Sequence, residues 1–226
     1  RRPHPVACRG RPWILMAHST SAVSWQPRNA AKQSGEMARN ALSHLSRGAD
    51  AILFFQCRAS RSSVDKIHSA MLPHAGTGSR VWRDVVALGR DLGALADLRG
   101  ARVRVDVAIL WDQESFAAQD LEWCPSDDLD HRERVDAFYT ALWRAGPTLD
   151  FAHPEADLTG HRLVVVPASY LLSRAGGDNL TRFVAGGGTL AVSHFSGIVD
   201  ESGSNIRTTP LIPTHIITGV GMTIGT

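Results

Sequence analysis

Polar side chains follow two apolar runs in the first half of the chain, at positions 13–16 and 51–55. The carboxyl ends of parallel strands lie at one edge of a sheet or barrel, where α/β proteins hold their ligands. Aromatic faces stack on the C–H side of a sugar ring, and charged groups bind its hydroxyls. The pattern therefore favours a small polar ligand such as a sugar. The residues concerned are His18, Ser19, Ser21, Trp25, Gln56, Arg58, Asp65 and His68.

Both apolar runs lack alternation, which is typical of strands buried on both faces. We predict that the first strand covers Trp13 to Met16 and stops at the polar residues that follow, which puts any chemistry near position 17. Ser34 is placed to cap the next helix, and Gly48 to end it. Two strands joined by a helix form a parallel βαβ unit.

A second helix is predicted after the cap residue Ser79, because apolar residues recur at spacings of four and three until Gly100. Those apolar residues are Val81, Val85, Leu88, Leu92 and Leu95. A new strand starts almost immediately afterwards, so we place a domain boundary between Arg99 and Arg104.

The second half alternates strands and helices. We predict strands over 105–111, 149–152, 163–166 and 190–192, and helices over 127–145, capped by Ser126, and 179–185. Alternation of this kind is typical of a doubly wound parallel sheet.

Composition excludes several classes of protein. The formal net charge is only +2 and the arginines are spread along the chain, which argues against a nucleic-acid partner. No apolar run is long enough to span a membrane, and positions 1–12 lack the apolar core of a signal peptide, so we expect an unstructured lead-in and a cytoplasmic protein. The three cysteines, Cys8, Cys57 and Cys124, have no metal-site spacing.

Three segments, Arg11–Asn29, Phe54–Ser60 and Lys66–Gly76, resemble glycoside hydrolase family 42, the bacterial β-galactosidases. The resemblance implies a hydrolase of terminal β-galactosides in carbohydrate metabolism that needs no cofactor. It also implies a (β/α)₈ barrel, or TIM barrel, of which this chain holds only the last two βα units. Trp13–Met16 corresponds to strand seven and Ala51–Phe55 to strand eight.

The resemblance places the nucleophilic Glu of the family at position 17, where this chain has Ala17. The acid/base Glu belongs to strand four, which the chain does not contain. Retaining glycosidases need both carboxylates, so we predict that the chain as it stands is a fragment without activity.

The sugar contacts implied by the resemblance are Trp25, Arg58, Asp65 and His68. Asp65 stands where the family usually has Glu, and Cys57 stands where it usually has Trp, and both changes weaken the correspondence.

The segment from Val105 to Asp200 resembles the trimerisation domain of the same family, whose fold is similar to flavodoxin-like and amidotransferase-like domains. The resemblance implies a homo-oligomer, a trimer. An amidotransferase would need a nucleophilic Cys, but Val166 is followed by Pro167, Ala168 and Ser169. The domains expected are 13–100, the end of the barrel, and 101–207, the trimerisation-like domain, followed by an atypical tail, 208–226.

Plainer interpretations stay open for several of these residues. His18 and His68 are as well explained as hydrogen-bonded structural residues, and the spacing between His68 and His74 does not suit a metal. Gly186–Gly188 suits a turn better than a phosphate site, and acidic residues at 127–130 suit a helix start. For the whole chain, the alternatives are an interaction module over 103–200 and a residual galactose-binding module.

Overall fold

The computed structural model describes residues 12–121 and 130–206, which form two compact units divided between Val103 and Arg104. The predicted lead-in up to position 11, the predicted cap Ser126 and the tail 208–226 lie outside the described residues. No helix in the described ranges is long and apolar enough to cross a membrane.

The first unit contains two parallel strands and two helices. In chain order these are β1 (Ile14–Ser19), α1 (Glu36–Leu45), β2 (Ala51–Phe55) and α2 (Arg80–Ala94). Short 3₁₀ turns lie at Val64–Ile67, Gly76–Gly78 and Ala96–Leu98. The predicted parallel βαβ unit is therefore confirmed.

The prediction that β1 stops at Met16 is wrong. The strand continues through a bulge, after which His18 pairs with Phe54 and Ser19 with Phe55. A bulge accommodates an extra residue and lets the ladder resume, so polar residues can extend a strand that the apolar pattern alone would end.

The prediction that both strands are buried on both faces is also wrong. One face packs Ile52 and Phe54 against a core of α1 and α2 that includes Met37, Ala41 and Leu88. The other face is open among the described residues, because both helices lie on the first face. The exposed fractions on the open face are 50% for Ile14, 72% for Met16, 47% for Leu53 and 39% for Phe55.

The two helices of the first unit begin differently. The cap of α1 is Gly35 with φ 77°, not Ser34, and the Glu36 carboxylate accepts a hydrogen bond from the Gln33 amide at 2.9 Å. This corrects the prediction, since a left-handed residue at the cap favours glycine over serine. The predicted cap of α2 is confirmed, because the Ser79 hydroxyl accepts from the Trp82 amide at 3.2 Å.

The second unit is built on a four-stranded parallel sheet in the order β4-β3-β5-β6. The protein is thus an α/β fold with parallel sheets. A helix that the sequence did not predict, α3, follows β3. The elements are β3 (Val107–Leu110), α3 (Gln113–Leu121), α4 (His131–Ala145), β4 (Leu149–Ala152), β5 (Leu163–Val166), α5 (Arg174–Ala185) and β6 (Thr189–Val192).

Alternate residues of the central strands point to two separate cores. Val107, Ile109 and Val165 share a cluster with Val135 and Tyr139 of α4. The alternate strand residues belong to the other cluster, together with residues of α5. That cluster includes Ala108, Leu110, Val164, Val166, Leu180 and Phe183. Because both sides of β3 and β5 are covered, these strands are continuously apolar.

Two helix starts in the second unit differ from prediction. Helix α4 begins at His131 and is capped by Asp130, whose carboxylate accepts from the Glu133 amide at 2.9 Å, so the predicted start at 127 is wrong. Helix α5 begins at Arg174, well before the predicted start at 179. The Ser173 hydroxyl caps it by accepting from the Gly176 amide at 3.0 Å.

Candidate functional site

A β-bulge lies at position 17, where we predicted a functional residue. Between the paired residues Leu15–Ile52 and His18–Phe54, β1 has two residues, Met16 and Ala17, where β2 has one. Ala17 has φ 54°, a left-handed conformation that is uncommon for a residue with a side chain. Bulges re-aim side chains, and this one leaves both Met16 and Ala17 exposed on the open face.

His18 lies on the opposite, helix-covered side of the bulge. Its ring lies 5.3 Å from the ring of Phe54 and 6.3 Å from that of His44. Burial is the main cause that lowers the pKa of His18 from 6.5 to about 4; the Lys32 ammonium adds to the shift, and a hydrogen bond to the Met37 backbone opposes it. His18 is therefore a neutral, packed residue at neutral pH, as in the plainer interpretation.

Trp25 and His68 form an aromatic stack between the segments that follow β1 and β2. Their ring centroids are 4.8 Å apart, and the planes are inclined by 27°. His68 is only 2% exposed, and Phe55 packs edge-on against it at 5.0 Å. Trp25, by contrast, is 62% exposed. The stack thus presents one aromatic face to solvent and supports it from below with a buried ring.

The tautomer of His68 follows from its hydrogen bonding. Nδ1 lies 2.7 Å from the Ser69 carbonyl oxygen, which can only accept, so a neutral ring carries its proton on Nδ1. Nε2 is buried and has no hydrogen-bond partner within the described ranges. In this tautomer Nε2 is a buried acceptor in a ring that packs against both Trp25 and Phe55.

Arg58 and Asp65 both come between Trp25 and His68 in sequence, in the segment after β2. The Asp65 carbonyl accepts from the His68 amide at 3.0 Å and from the Gln56 side chain at 3.3 Å, which fixes the turn between β2 and His68. Arg58 is exposed and forms an isolated parallel bridge with Leu72. The structure joins Trp25, Asp65 and His68 through this turn; in the described residues no hydrogen bond or ion pair links Arg58 to them.

Lys32 was not among the predicted site residues, yet its side chain reaches the end of β1. The ammonium donates hydrogen bonds to the Ser19 carbonyl and, at 3.0 Å, to the Ser19 hydroxyl. A lone lysine in a polar loop has no spacing or pattern that would reveal such a contact.

In the second unit, the turn after β5 also contains a residue with a left-handed φ. Ala168 follows β5 with φ 53° and is fully buried. Its carbonyl oxygen accepts from Gln119 Nε2 at 2.8 Å and lies 3.0 Å from His131 Nδ1, while its amide donates to Ser193 Oγ at 2.9 Å. The methyl group of Ala168 cannot attack an acyl carbon, so Ala168 itself is not a nucleophile.

Comparison with known proteins gives one consistent result for both units. Residues 5–95 match a family model described as β-galactosidase, and residues 105–222 match one described as β-galactosidase trimerisation domain. A β-galactosidase from Arthrobacter sp. is 48% identical over 192 residues, which is 85% of this chain and 28% of that protein. A β-galactosidase from Geobacillus sp. is 41% identical over 195 residues, or 86% of this chain and 29% of that protein.

Solved structures agree with the sequence matches. The crystal structure of β-galactosidase from Bacillus circulans sp. alkalophilus superposes with a TM-score of 0.83 at 33% identity, covering 88% of this chain and 30% of that one. A cold-adapted β-galactosidase from Rahnella sp. R3 gives a TM-score of 0.82 at 36% identity, with 88% and 30% covered. The chain therefore spans less than a third of the length of these relatives.

Proposed function

The chain belongs to the β-galactosidases of glycoside hydrolase family 42, as their C-terminal part, and we propose that it retains a galactoside-contacting edge without the carboxylates needed for hydrolysis. The exposed indole of Trp25, stacked on buried His68, is the observation that carries this proposal. An aromatic face of this kind, held firmly and open to solvent, is suited to the C–H side of a sugar ring.

In this proposal β1 and β2 are the seventh and eighth strands of a (β/α)₈ barrel, within a first domain of residues 13–100. Inward-pointing side chains of such barrels are apolar and fill the interior in layers. The apolar residues on the open face, such as Met16 and Leu53, agree with that location because they are exposed here although their types are those of a core. The segments after β1 and β2 then belong to the ligand-binding end of the barrel.

The sugar contacts divide into two kinds. Trp25 provides the stacking face, and the charged side chains of Arg58 and Asp65 bind hydroxyls. His68 is buried beneath Trp25, so in the resting structure it supports the indole and lies out of reach of the sugar.

Hydrolysis is not expected from the chain itself. Retaining glycosidases use a nucleophilic carboxylate and an acid/base carboxylate about 5–5.5 Å apart. The nucleophile position is Ala17, whose methyl group cannot form the covalent glycosyl intermediate. A longer β-galactosidase that contains this region would need a carboxylate there.

Self-association is the second candidate function, and the match of residues 105–222 to the β-galactosidase trimerisation domain favours it. We place this role in residues 101–207, as a doubly wound domain that mediates a homotrimer. Light scattering over a concentration series tests it, and a purely monomeric chain would count against it. A cytoplasmic location and a lack of nucleic-acid partners remain predictions from the sequence.

Two measurements test the proposed galactoside contact. Calorimetry with methyl β-galactoside at millimolar concentration is expected to show weak binding, and the absence of heat would remove the proposal. A chromogenic β-galactoside is expected to release no product above a blank, and release by the purified chain would contradict the assignment of Ala17.

A further inference from the structure

Lys32 connects the end of β1 to the start of α2. Besides the two hydrogen bonds that its ammonium donates to Ser19, its backbone amide donates to the Ser21 hydroxyl at 3.2 Å. Its carbonyl oxygen accepts from the Arg80 guanidinium at 2.7 Å, and Arg80 is held in turn by Asp84 at 2.8 Å. One residue therefore links Ser19 and Ser21 to the first helical turn of α2.

The contacts of Lys32 lead on to the aromatic stack. The Ser21 amide donates to the Ser69 hydroxyl at 2.9 Å, and the Ser69 amide donates to the Ala22 carbonyl at 2.9 Å. The Ser69 carbonyl in turn receives the Nδ1 hydrogen of His68. The segment that ends in Trp25 and the segment that contains His68 are thus joined by hydrogen bonds that start at Lys32.

The surroundings of the Lys32 ammonium favour a permanent structural contact. The residue is half-buried, and burial lowers its pKa below the ordinary value, while the Glu36 carboxylate offsets part of that effect. Both acceptors on Ser19 are uncharged oxygens, a carbonyl and a hydroxyl. A charged donor forms stronger hydrogen bonds than a neutral one.

We propose that Lys32 is the positioning residue of the galactoside-contacting edge: it holds the segment 19–22 against Ser69 so that Trp25 stacks on His68. This inference rests on the proposed function and names the residue on which its geometry depends. Lys32 itself does not contact the sugar; it acts through Ser19, Ser21 and Ser69.

The test uses the full chain with Lys32→Met, which keeps the length of the side chain and removes the ammonium, and Lys32→Arg, which keeps the charge. Amide hydrogen exchange at Ser21 and Ser69, followed by NMR, is expected to accelerate at least tenfold in Lys32→Met and to return towards wild type in Lys32→Arg. Affinity for methyl β-galactoside is expected to fall about fivefold in Lys32→Met. Lys66→Met removes an exposed lysine and serves as the matched control, with unchanged exchange and affinity.

The NMR titration of His18 adds a readout that a purely mechanical role would not move. Lys32 lowers the pKa of His18, so this pKa is expected to rise in Lys32→Met and to stay low in Lys32→Arg. If Lys32→Met does not fold, Ser19→Ala removes one acceptor and is expected to give a smaller acceleration at the same two amides. Unchanged exchange at Ser21 and Ser69 in a folded Lys32→Met chain would overturn the proposal. If wild type binds no galactoside, the proposed function fails, while the exchange data still decide the role of Lys32.

Discussion

The ring of Trp25 stacks on the ring of His68 at a centroid distance of 4.8 Å, so a solvent-exposed indole is supported by a fully packed imidazole. The two residues come from segments after different strands, and the contact depends on both segments being held in place.

Trp25→Ala is expected to weaken the binding of methyl β-galactoside roughly fivefold, because an aromatic stacking contact contributes about 1 kcal/mol. Trp143→Ala is the matched control, since Trp143 is 58% exposed in α4 of the other unit. Calorimetry on both variants measures the difference. Equal loss in the two variants, or no loss in Trp25→Ala, would contradict the assignment of Trp25.

Ala17→Gly is expected to stabilise the first unit by roughly 1 kcal/mol, because glycine adopts a left-handed φ without the steric cost that alanine has at 54°. The control is Ala51→Gly, an exposed strand position outside the left-handed region, where glycine is expected to destabilise. Thermal unfolding of both variants gives the sign. A lower midpoint for Ala17→Gly than for wild type would show that the bulge is not strained at this residue.

Stability is expected to fall as the pH is lowered from about 6.5 to about 4, in part because of His18. The folded pKa of about 4 lies below the unfolded value of 6.5, so in this range the unfolded chain binds more protons and acid favours it. The effect of this residue is expected to be on the order of 1 kcal/mol after allowance for its partial exposure.

Measuring the unfolding midpoint at several pH values separates His18 from other groups. In His18→Gln the midpoint is expected to depend less on pH between 6.5 and 4 than in wild type. His74→Gln, at an exposed histidine, is the control and is expected to follow wild type. A His18→Gln profile parallel to that of wild type would exclude His18 as a source of the acid sensitivity.

Gly188→Ala is expected to destabilise the second unit by about 1–3 kcal/mol, because overpacking forces neighbours to move. A Cβ atom at this position would lie 2.3 Å from the ring of Phe183, which is part of the core formed with α5. Gly160→Ala is the control, since a Cβ atom there has no neighbour within 4 Å. Denaturant unfolding compares the two, and equal stability would show that Phe183 yields without cost.

The strands of both sheets could be predicted because each is a compact apolar run, and the parallel arrangement followed from the helices between them. Helix α3 could not, because its buried residues include Ser115 and Gln119, which leave no apolar period to detect. The early start of α5 was hidden by Gly176 and Gly177, residues of low helix propensity. At Gly176 a Cβ atom would lie 3.0 Å from both Leu172 and Pro154, so close packing accounts for the glycine.

The residue types of the candidate site could be predicted from the sequence, but the contacts between those residues could not. The stack between Trp25 and His68 joins two loops, and hydrogen bonds of Lys32, Ser21 and Ser69 connect the same loops. Ser21 was predictable as a polar residue after β1, but no spacing in the sequence pairs it with Ser69 or with Lys32. The exposure of one face of β1 was not predictable for a different reason. An apolar run indicates that its side chains suit a buried environment, but it does not show whether the described residues bury them.

The bulge in β1 makes Ala17 a surplus residue in the sheet. Without Ala17, Met16 would lie opposite Leu53, and His18 and Ser19 would keep their partners Phe54 and Phe55 in an unbroken two-residue alternation. Every neighbour would then stay on its present face. The ladder thus pairs the same residues with or without position 17, and the side chain that the bulge exposes in this chain is a single methyl group.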